Sequence, residues 1–387
     1  MQQNGRLREE LLAEVEVIAP ILAEHAPQSE KLGRLDDATV EALHKTRLPQ
    51  FPCPRDLGGD EADPITQMEV WEALARIDAS TSWVVGIWGT SSMMAAAYLP
   101  TRAAKHIFAN DVPRLSGMLT PRGQAEPVKG GYRVKGRWSF GSGIHNADWI
   151  ISGAFVTGRP PLEGSRAVLL PRNQVAIHNN WQVAGLRASG SCDYSIEDVF
   201  VPDDMTFSIM DMLLGNAATG GASVRLGLPA LVTAFHMAMP LGIARRALDE
   251  ITAQAVEKAR GFPPSSLATQ AEFQFALGKA ETQLAAARAL ARQVLSSLME
   301  KARTGQTPPP EKQAEARAAA VCITELAQQV ATMAFQAAGG GALFDTNPLQ
   351  RCWRDAYAVG QHFAVSQSSY RALGQFRLKQ PDANPML

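Results

Sequence analysis

Residues 130–156 read GGYRVKGRWSFGSGIHNADWIISGAFV, and this stretch decides the fold. Gly130-Gly131 is a turn signal. After it, Tyr132, Val134, Gly136, Trp138 and Phe140 alternate with Arg133, Lys135, Arg137 and Ser139. A period of two is the pattern of a half-buried strand. Gly141-Ser142-Gly143 ends it with bare backbone that permits a sharp turn or the close approach of a flat ligand. Residues 149–156 read as a second strand. On residue physics alone the stretch is a β-hairpin with a Gly-rich tip. The same corner, an aromatic ring beside a small hydroxyl and open amides, also suits a planar, hydrogen-bonding cofactor.

Outward from this segment, short β-patterned runs continue from about Ser116 to Asp204. Residues 166–170, 175–177 and 192–201 are strands, the last ended by Pro202-Asp203-Asp204. Strands in a row without helices between them indicate a small barrel or sandwich, not a parallel α/β sheet. The flanks are helical. Leu7, Leu11, Leu12, Val15 and Ile18 recur at helical spacing, with Pro20 in or just beyond that run. Asp36 and Asp37 cap a second helix. Residues 68–77 form a third, and residues 80–99 a fourth that is apolar nearly all round and therefore buried. A fifth starts at Pro100-Thr101. Beyond residue 223, Phe273, Leu277, Ala280, Leu284, Ala287, Ala291, Val294 and Leu298 keep an unbroken seam of the kind that lines a helical bundle. Residues 311–338 and 351–374 complete that bundle, so the fold class is α+β. It is divided into helical 1–114, β 115–222 and a helical bundle over 223–387.

Composition narrows the function. The chain has 387 residues, a net charge of −1, 46% hydrophobic residues and 19% charged residues. It can bury a large core, and it lacks the basic surplus of a nucleic-acid binder. Cys53, Cys192, Cys322 and Cys352 form no C-x-x-C pair, which argues against a disulfide framework or zinc site and fits a reducing cytosol. The first twenty residues have no apolar signal region, and the apolar runs at 83–99 and 226–248 are interrupted by Gly, Ser, His or Pro. No Walker A, G-x-S-x-G or H-E-x-x-H motif is present, and no G-x-G-x-x-G in a strand-to-helix setting.

Two other places could carry chemistry. Gly339-Gly340-Gly341 is either a phosphate-receiving backbone or a helix C-cap followed by a loop. On one continuous helix over 351–374, Arg351, Asp355 and His362 share a face, with Arg351 and Asp355 able to pair. His362 would then lie roughly 10 Å beyond Asp355 along the axis, at about 1.5 Å per residue. The remaining histidines, His236 among them, belong to no constellation, although His145 lies two residues past Gly143.

The chain resembles a known family along most of its length. The echoes are P-R-G-Q-A at 121–125 followed by GGYRVKGRWSFGSG; WQVAGLRASGSCDYSIEDVFVP at 181–202; the bundle stretch 260–287; and GGGALFDTNPLQRCWRDAYAVGQH at 339–362. Together and in this order they resemble the flavin-dependent monooxygenases of the acyl-CoA dehydrogenase fold. These are oxygenase components of two-component systems, such as 4-hydroxyphenylacetate hydroxylases. The resemblance implies a helical domain, a β-barrel or sandwich and a four-helix bundle in a homotetramer. It implies reduced FMN or FAD with O₂ as co-substrate, and a separate NAD(P)H-dependent flavin reductase. An aromatic or heteroaromatic small molecule would be hydroxylated through a flavin C4a-hydroperoxide. Catalytic roles fall to Ser142, holding the flavin N5 proton, and His362, as base or hydrogen-bond donor. Trp138, Phe140, Ser142 and Gly143 would seat the ring; Arg260, Gly339 and Gly340 would meet the phosphates. His145, Ser92 and Met93 would border substrate. The alternative is an acyl-CoA dehydrogenase, whose catalytic carboxylate has no match after Asp355, although Asp249 or Glu250 stays open as that base.

Overall fold

The computed structural model describes residues 2–257, 259–260 and 265–386, excluding the side chains of 2–4, 162 and 259–260. Its centre is a seven-stranded sheet with strands β1 (Leu115–Val128), β2 (Gly131–Gly141), β3 (Trp149–Val156), β4 (Ser165–Pro171), β5 (Ala176–His178), β6 (Cys192–Pro202) and β7 (Thr206–Ser208). Their spatial order is β5-β6-β2-β1-β3-β4-β7. The hairpin expected from residues 130–156 does not form. β1 lies between β2 and β3, antiparallel to the first and parallel to the second. Both strands were read correctly, the first by alternation over 132–140, but pairing is set by β1, whose pattern is broken by a register shift between Met118 and Gly123.

On the N-terminal side stand α1 (Gln2–Leu32), α2 (Asp37–His44), α3 (Pro64–Ile77), α4 (Ala79–Tyr98) and α5 (Thr101–Ile107). α1 runs on through Pro20 and Pro27 because its stripe of Leu7, Leu11, Val15, Ile18 and Leu22 is buried. α4 is capped by the Asp78 carboxylate, which accepts from the Thr81 amide at 2.8 Å. Short helical turns follow at α6 (Pro161–Gly164), α7 (Ile209–Leu214) and α8 (Leu228–Leu231). The bundle comprises α9 (Thr233–Glu257), α10 (Ala271–Ala302), α11 (Pro310–Ala338), α12 (Pro348–Val359) and α13 (Ser368–Arg377). One apolar core joins the two helical regions, and a second fills the sheet around Trp138 and Tyr194.

The long final helix expected over 351–374 is broken. α12 stops at Val359, α13 starts at Ser368, and His362 stands in the connection between them. Gly360 marks the break. A Cβ there would come within 2.4 Å of Gln328 Nε2, which crosses from α11 to donate to the Ala356 carbonyl. Glycine is a poor helix former, and here it also admits the crossing amide.

Candidate active site

α4 and α9 meet at unusually close range. A Cβ on Gly86 would lie 2.1 Å from the Phe235 ring, so only glycine allows the approach. That approach brings Trp83 of α4 against Phe235 and His236 of α9, with centroid separations of 5.1 and 5.8 Å. Trp83 also meets His362 edge-on at 5.8 Å. On its other side the Trp83 indole N–H donates to Ser142 Oγ at 3.0 Å. Trp83 therefore bridges Ser142 and His362, which are 220 positions apart in the numbering.

Ser142 reaches this place through a bulge. Trp138 pairs with Tyr194 but Gly141 pairs with Cys192, so β2 carries one residue more than β6. Phe140 absorbs it with φ 68° and is thrown outward, 57% exposed, its ring edge against Trp181. Ser142 turns inward. Its hydroxyl takes the Trp83 N–H and shares a 2.7 Å bond with Ser191 Oγ, which shares another with Ser189 Oγ at 2.7 Å.

His362 is held by its own loop. Its Nδ1 accepts the Ala364 amide at 3.2 Å, and Arg317 of α11 donates to the neighbouring Phe363 carbonyl at 3.1 Å. A neutral imidazole that accepts at one nitrogen carries its proton on the other. Neutral His362 is thus an Nε2–H donor. Burial pushes its pKa down to about 4, because the charged form loses hydration without gaining a carboxylate. Its ring stacks on His236 at 4.2 Å and 25°. Burial, with His362 and Arg317 nearby, drives His236 well below the ordinary histidine value.

Other expected residues fall elsewhere. Trp138 cannot wall a ring, because it is wholly enclosed in the sheet core, stacked on Tyr194 and bonded to the Gly153 carbonyl at 2.9 Å. Gly143 has both backbone groups engaged, its N–H by Ser189 and its carbonyl by the Trp88 indole. Ser92 fastens α4 to β1 through the Pro113 carbonyl and the Leu115 amide, and Met93 is buried in the helical core, so neither borders a substrate space. His145 instead lines a cleft of about 740 Å³ with Lys31, Arg34, Trp181, Arg187 and Cys192. Gly339 and Gly340 stand exposed at the end of α11, Gly339 in a left-handed conformation. The Arg260 side chain lies outside the described residues. Arg351 does not pair with Asp355: its nearest carboxylate is Asp78 at 3.9 Å, while Asp355 accepts the Leu186 amide at 2.7 Å.

Of the two carboxylates left open as a thioester oxidase's base, Asp249 is committed to two arginines and Glu250 stands near a third. Asp249 binds Arg76 and Arg245 at 2.7 and 2.9 Å, and Glu250 lies 3.9 Å from Arg246. Phe140, Ser142 and the bare Gly339-Gly340 backbone do fit a flavin. They offer an outward-facing aromatic ring, a buried hydroxyl two residues on and solvent-exposed glycine backbone.

Known proteins resemble this chain in sequence and fold. Residues 234–367 match the family model described as acyl-CoA dehydrogenase, C-terminal domain. The indole-3-acetate monooxygenase of Pseudomonas putida is 30% identical over 330 residues, covering 85% of this chain and 83% of that protein. The flavin-dependent monooxygenase oxygenase subunit HsaA of Mycobacterium tuberculosis is 30% identical over 397 residues, covering 97% of each. The crystal structure of 3-HSA hydroxylase from Rhodococcus sp. RHA1 superposes with a TM-score of 0.90 at 27% identity, over 98% of this chain and 99% of that one. The chain belongs to the flavin-dependent monooxygenase oxygenase subunits built on the acyl-CoA dehydrogenase fold. It is an oxidoreductase that works with reduced flavin and dioxygen.

Proposed function

We propose that this chain oxygenates an aromatic or heteroaromatic small molecule at the corner between Ser142 and His362. The observation that carries the reading is the Trp83 bridge, which gathers one residue from the sheet and one from the bundle around a single indole. The flavin, when bound, supplies the activation of dioxygen and the transfer of one oxygen atom. Phe140 and Ser142 would hold its ring, with Arg260, Gly339 and Gly340 toward its phosphates.

The chain's own residues then have separable tasks. Ser142 Oγ takes the Trp83 N–H on one lone pair. Its second lone pair can accept the N5–H of reduced flavin while its own proton goes to Ser191. This arrangement keeps the N5 proton in place. His362 donates through Nε2–H to an oxygen atom in the site, so of the two roles implied by the resemblance the donor is favoured over the base. The buried rings of Trp83 and Phe235 keep water away and strengthen both bonds.

Relatives with printed names such as indole-3-acetate monooxygenase and resorcinol hydroxylase, oxygenase component, support an aromatic substrate and a separate reductase as source of reduced flavin. Assembly as a homotetramer is supported by large apolar side chains left outward on the bundle, Phe275, Val256, Leu343 and Phe344. Placement in the cytoplasm is supported by four free cysteines.

The test is a single turnover. Protein loaded anaerobically with reduced FMN or FAD is mixed with oxygenated buffer and an aromatic probe such as indole. Oxygenated product is the expected outcome. Oxygenation nowhere in an aromatic panel, together with bleaching of bound FAD by an acyl-CoA, would establish the dehydrogenase alternative instead.

A further inference from the structure

His236 has no evident structural reason to be a histidine. It is 4% exposed, inside an apolar stretch of α9. The rings of Trp83, Phe235 and His362 pack against its side chain. None of them hydrogen-bonds either imidazole nitrogen. His362 cannot do so, because the rings are stacked, and imidazole N–H bonds and lone pairs lie in the ring plane. Buried polar groups are ordinarily hydrogen-bonded, and one left bare carries the full cost of desolvation. A phenylalanine would fill the same space with no ring nitrogen to satisfy.

The two imidazoles also differ in what they offer. His362 is fixed as a donor by the Ala364 amide on its Nδ1. His236 has no such tie, so one of its nitrogens always offers a lone pair. We propose that His236 is the hydrogen-bond acceptor for the substrate, working beside the His362 donor. The substrate class is then an uncharged aromatic molecule with an exchangeable hydrogen on the ring system, a phenolic hydroxyl or a ring N–H. This rests on the placement of the site at Ser142 and His362 given above.

Charge supports the class. The groups facing the pair are Trp83 from α4, Phe235 from α9, Phe363 from the connecting loop and Arg317 from α11. The Arg317 guanidinium donates to the carbonyls of Pro385 and Phe363 at 2.7 and 3.1 Å. No carboxylate is among these groups, so a cationic substrate group finds no counter-ion. Both imidazoles are uncharged near neutral pH, so an anionic group meets no charged histidine. A neutral donor–acceptor group such as a phenol matches both walls.

The experiment compares indole with N-methylindole, and phenol with anisole, as binding probes. Affinity is measured by calorimetry on the protein held anaerobically with reduced flavin. Wild type should bind the N–H and O–H members of the pairs about tenfold more tightly than their methylated partners, as one hydrogen bond predicts. His236→Phe keeps the ring stack and removes the acceptor. It should bring each pair within about twofold by weakening only the unmethylated member. His236→Gln should restore part of the difference, and it serves as the second variant if the first does not fold. A merely structural role would weaken all four probes alike. Wild type that fails to discriminate, or binds none of them, overturns the proposal, as does discrimination retained in His236→Phe. The site placement is tested separately, by the product-to-peroxide ratio of Ser142→Ala and His362→Gln. If those variants match wild type, the site itself is misplaced. If they differ while His236→Phe still discriminates, only the role of His236 falls.

Discussion

The imidazoles of His236 and His362 lie face to face, centroids 4.2 Å apart, although one comes from the middle of α9 and the other from a loop beyond α12. Protonating either would place a charge against the other in a setting with no carboxylate partner among the described residues. Both therefore stay neutral well below the usual histidine range.

This fixes a pH dependence. In the unfolded chain both histidines titrate near 6.5, whereas in the fold His362 holds off protonation to about 4 and His236 is also lowered. As pH falls from 6.5 toward 4, the unfolded state takes up protons that the folded state refuses. Stability should fall across that window and show no slope from this pair above it. Asp355, pushed up to about 6 by burial, works in the opposite direction between 3.8 and 6. The readout is thus a comparison: melting temperature against pH should be less steep in His362→Phe than in wild type. Imidazole NMR should find His362 still neutral at pH 6.

Ser142→Ala removes the acceptor of the Trp83 N–H and leaves that buried donor bare. We expect a loss of about 1–3 kcal/mol in stability. We also expect a clear rise in hydrogen peroxide per product formed. Stopped-assay quantification of both products checks it; unchanged coupling would remove Ser142 from the mechanism.

Gly86→Ala should displace Phe235, since the new Cβ would lie 2.1 Å from its ring. Overpacking of this kind costs about 1–3 kcal/mol. Because His236 follows Phe235 directly, activity should drop more than at Gly278→Ala, where nothing lies within 4 Å of the added Cβ. Parallel denaturation curves and turnover measurements on the two variants give the answer.

Asp355→Ala should destabilise by about 1–3 kcal/mol, because the buried Leu186 amide would lose its acceptor. Asp355→Asn retains a carbonyl oxygen there and should be much milder. If Asp355 were a catalytic base instead, the Asn variant would be inactive while remaining stable.

On the bundle, Phe275→Glu places a charge on the outward aromatic of α10, which is 74% exposed in the single chain. A shift of the light-scattering mass toward smaller species is the outcome expected of an assembled oligomer.

Much of the fold was legible because strands and helices differ in period. The strand at 132–140 was found by alternation, 149–156 was read as a second strand, and the α10 seam from Phe273 to Leu298 was found by its helical spacing. Pairing was not legible, since β1 enters between β2 and β3 by tertiary packing. The break at Gly360 was missed because the apolar pattern carries on across it; what ends α12 is an amide arriving from α11. The candidate site divides in the same way. Ser142 and His362 were marked by resemblance. Trp83 and His236 sat within apolar helices and looked like core. A lone imidazole in the apolar stretch of α9 was the available signal. Trp138 misled because simple alternation puts it on the face of Phe140, and the bulge separates the two.

Arg317 has one further consequence. Its guanidinium holds both the Phe363 carbonyl of the loop that carries His362 and the Pro385 carbonyl near residue 386. The last described stretch of polypeptide is thereby a guy-rope for the imidazole of His362, pegged to the bundle at Arg317. A proteolytic nick between residues 378 and 385 would leave the helices standing, and the damage would register first as slack in the placement of the His362 ring rather than as a lower melting point.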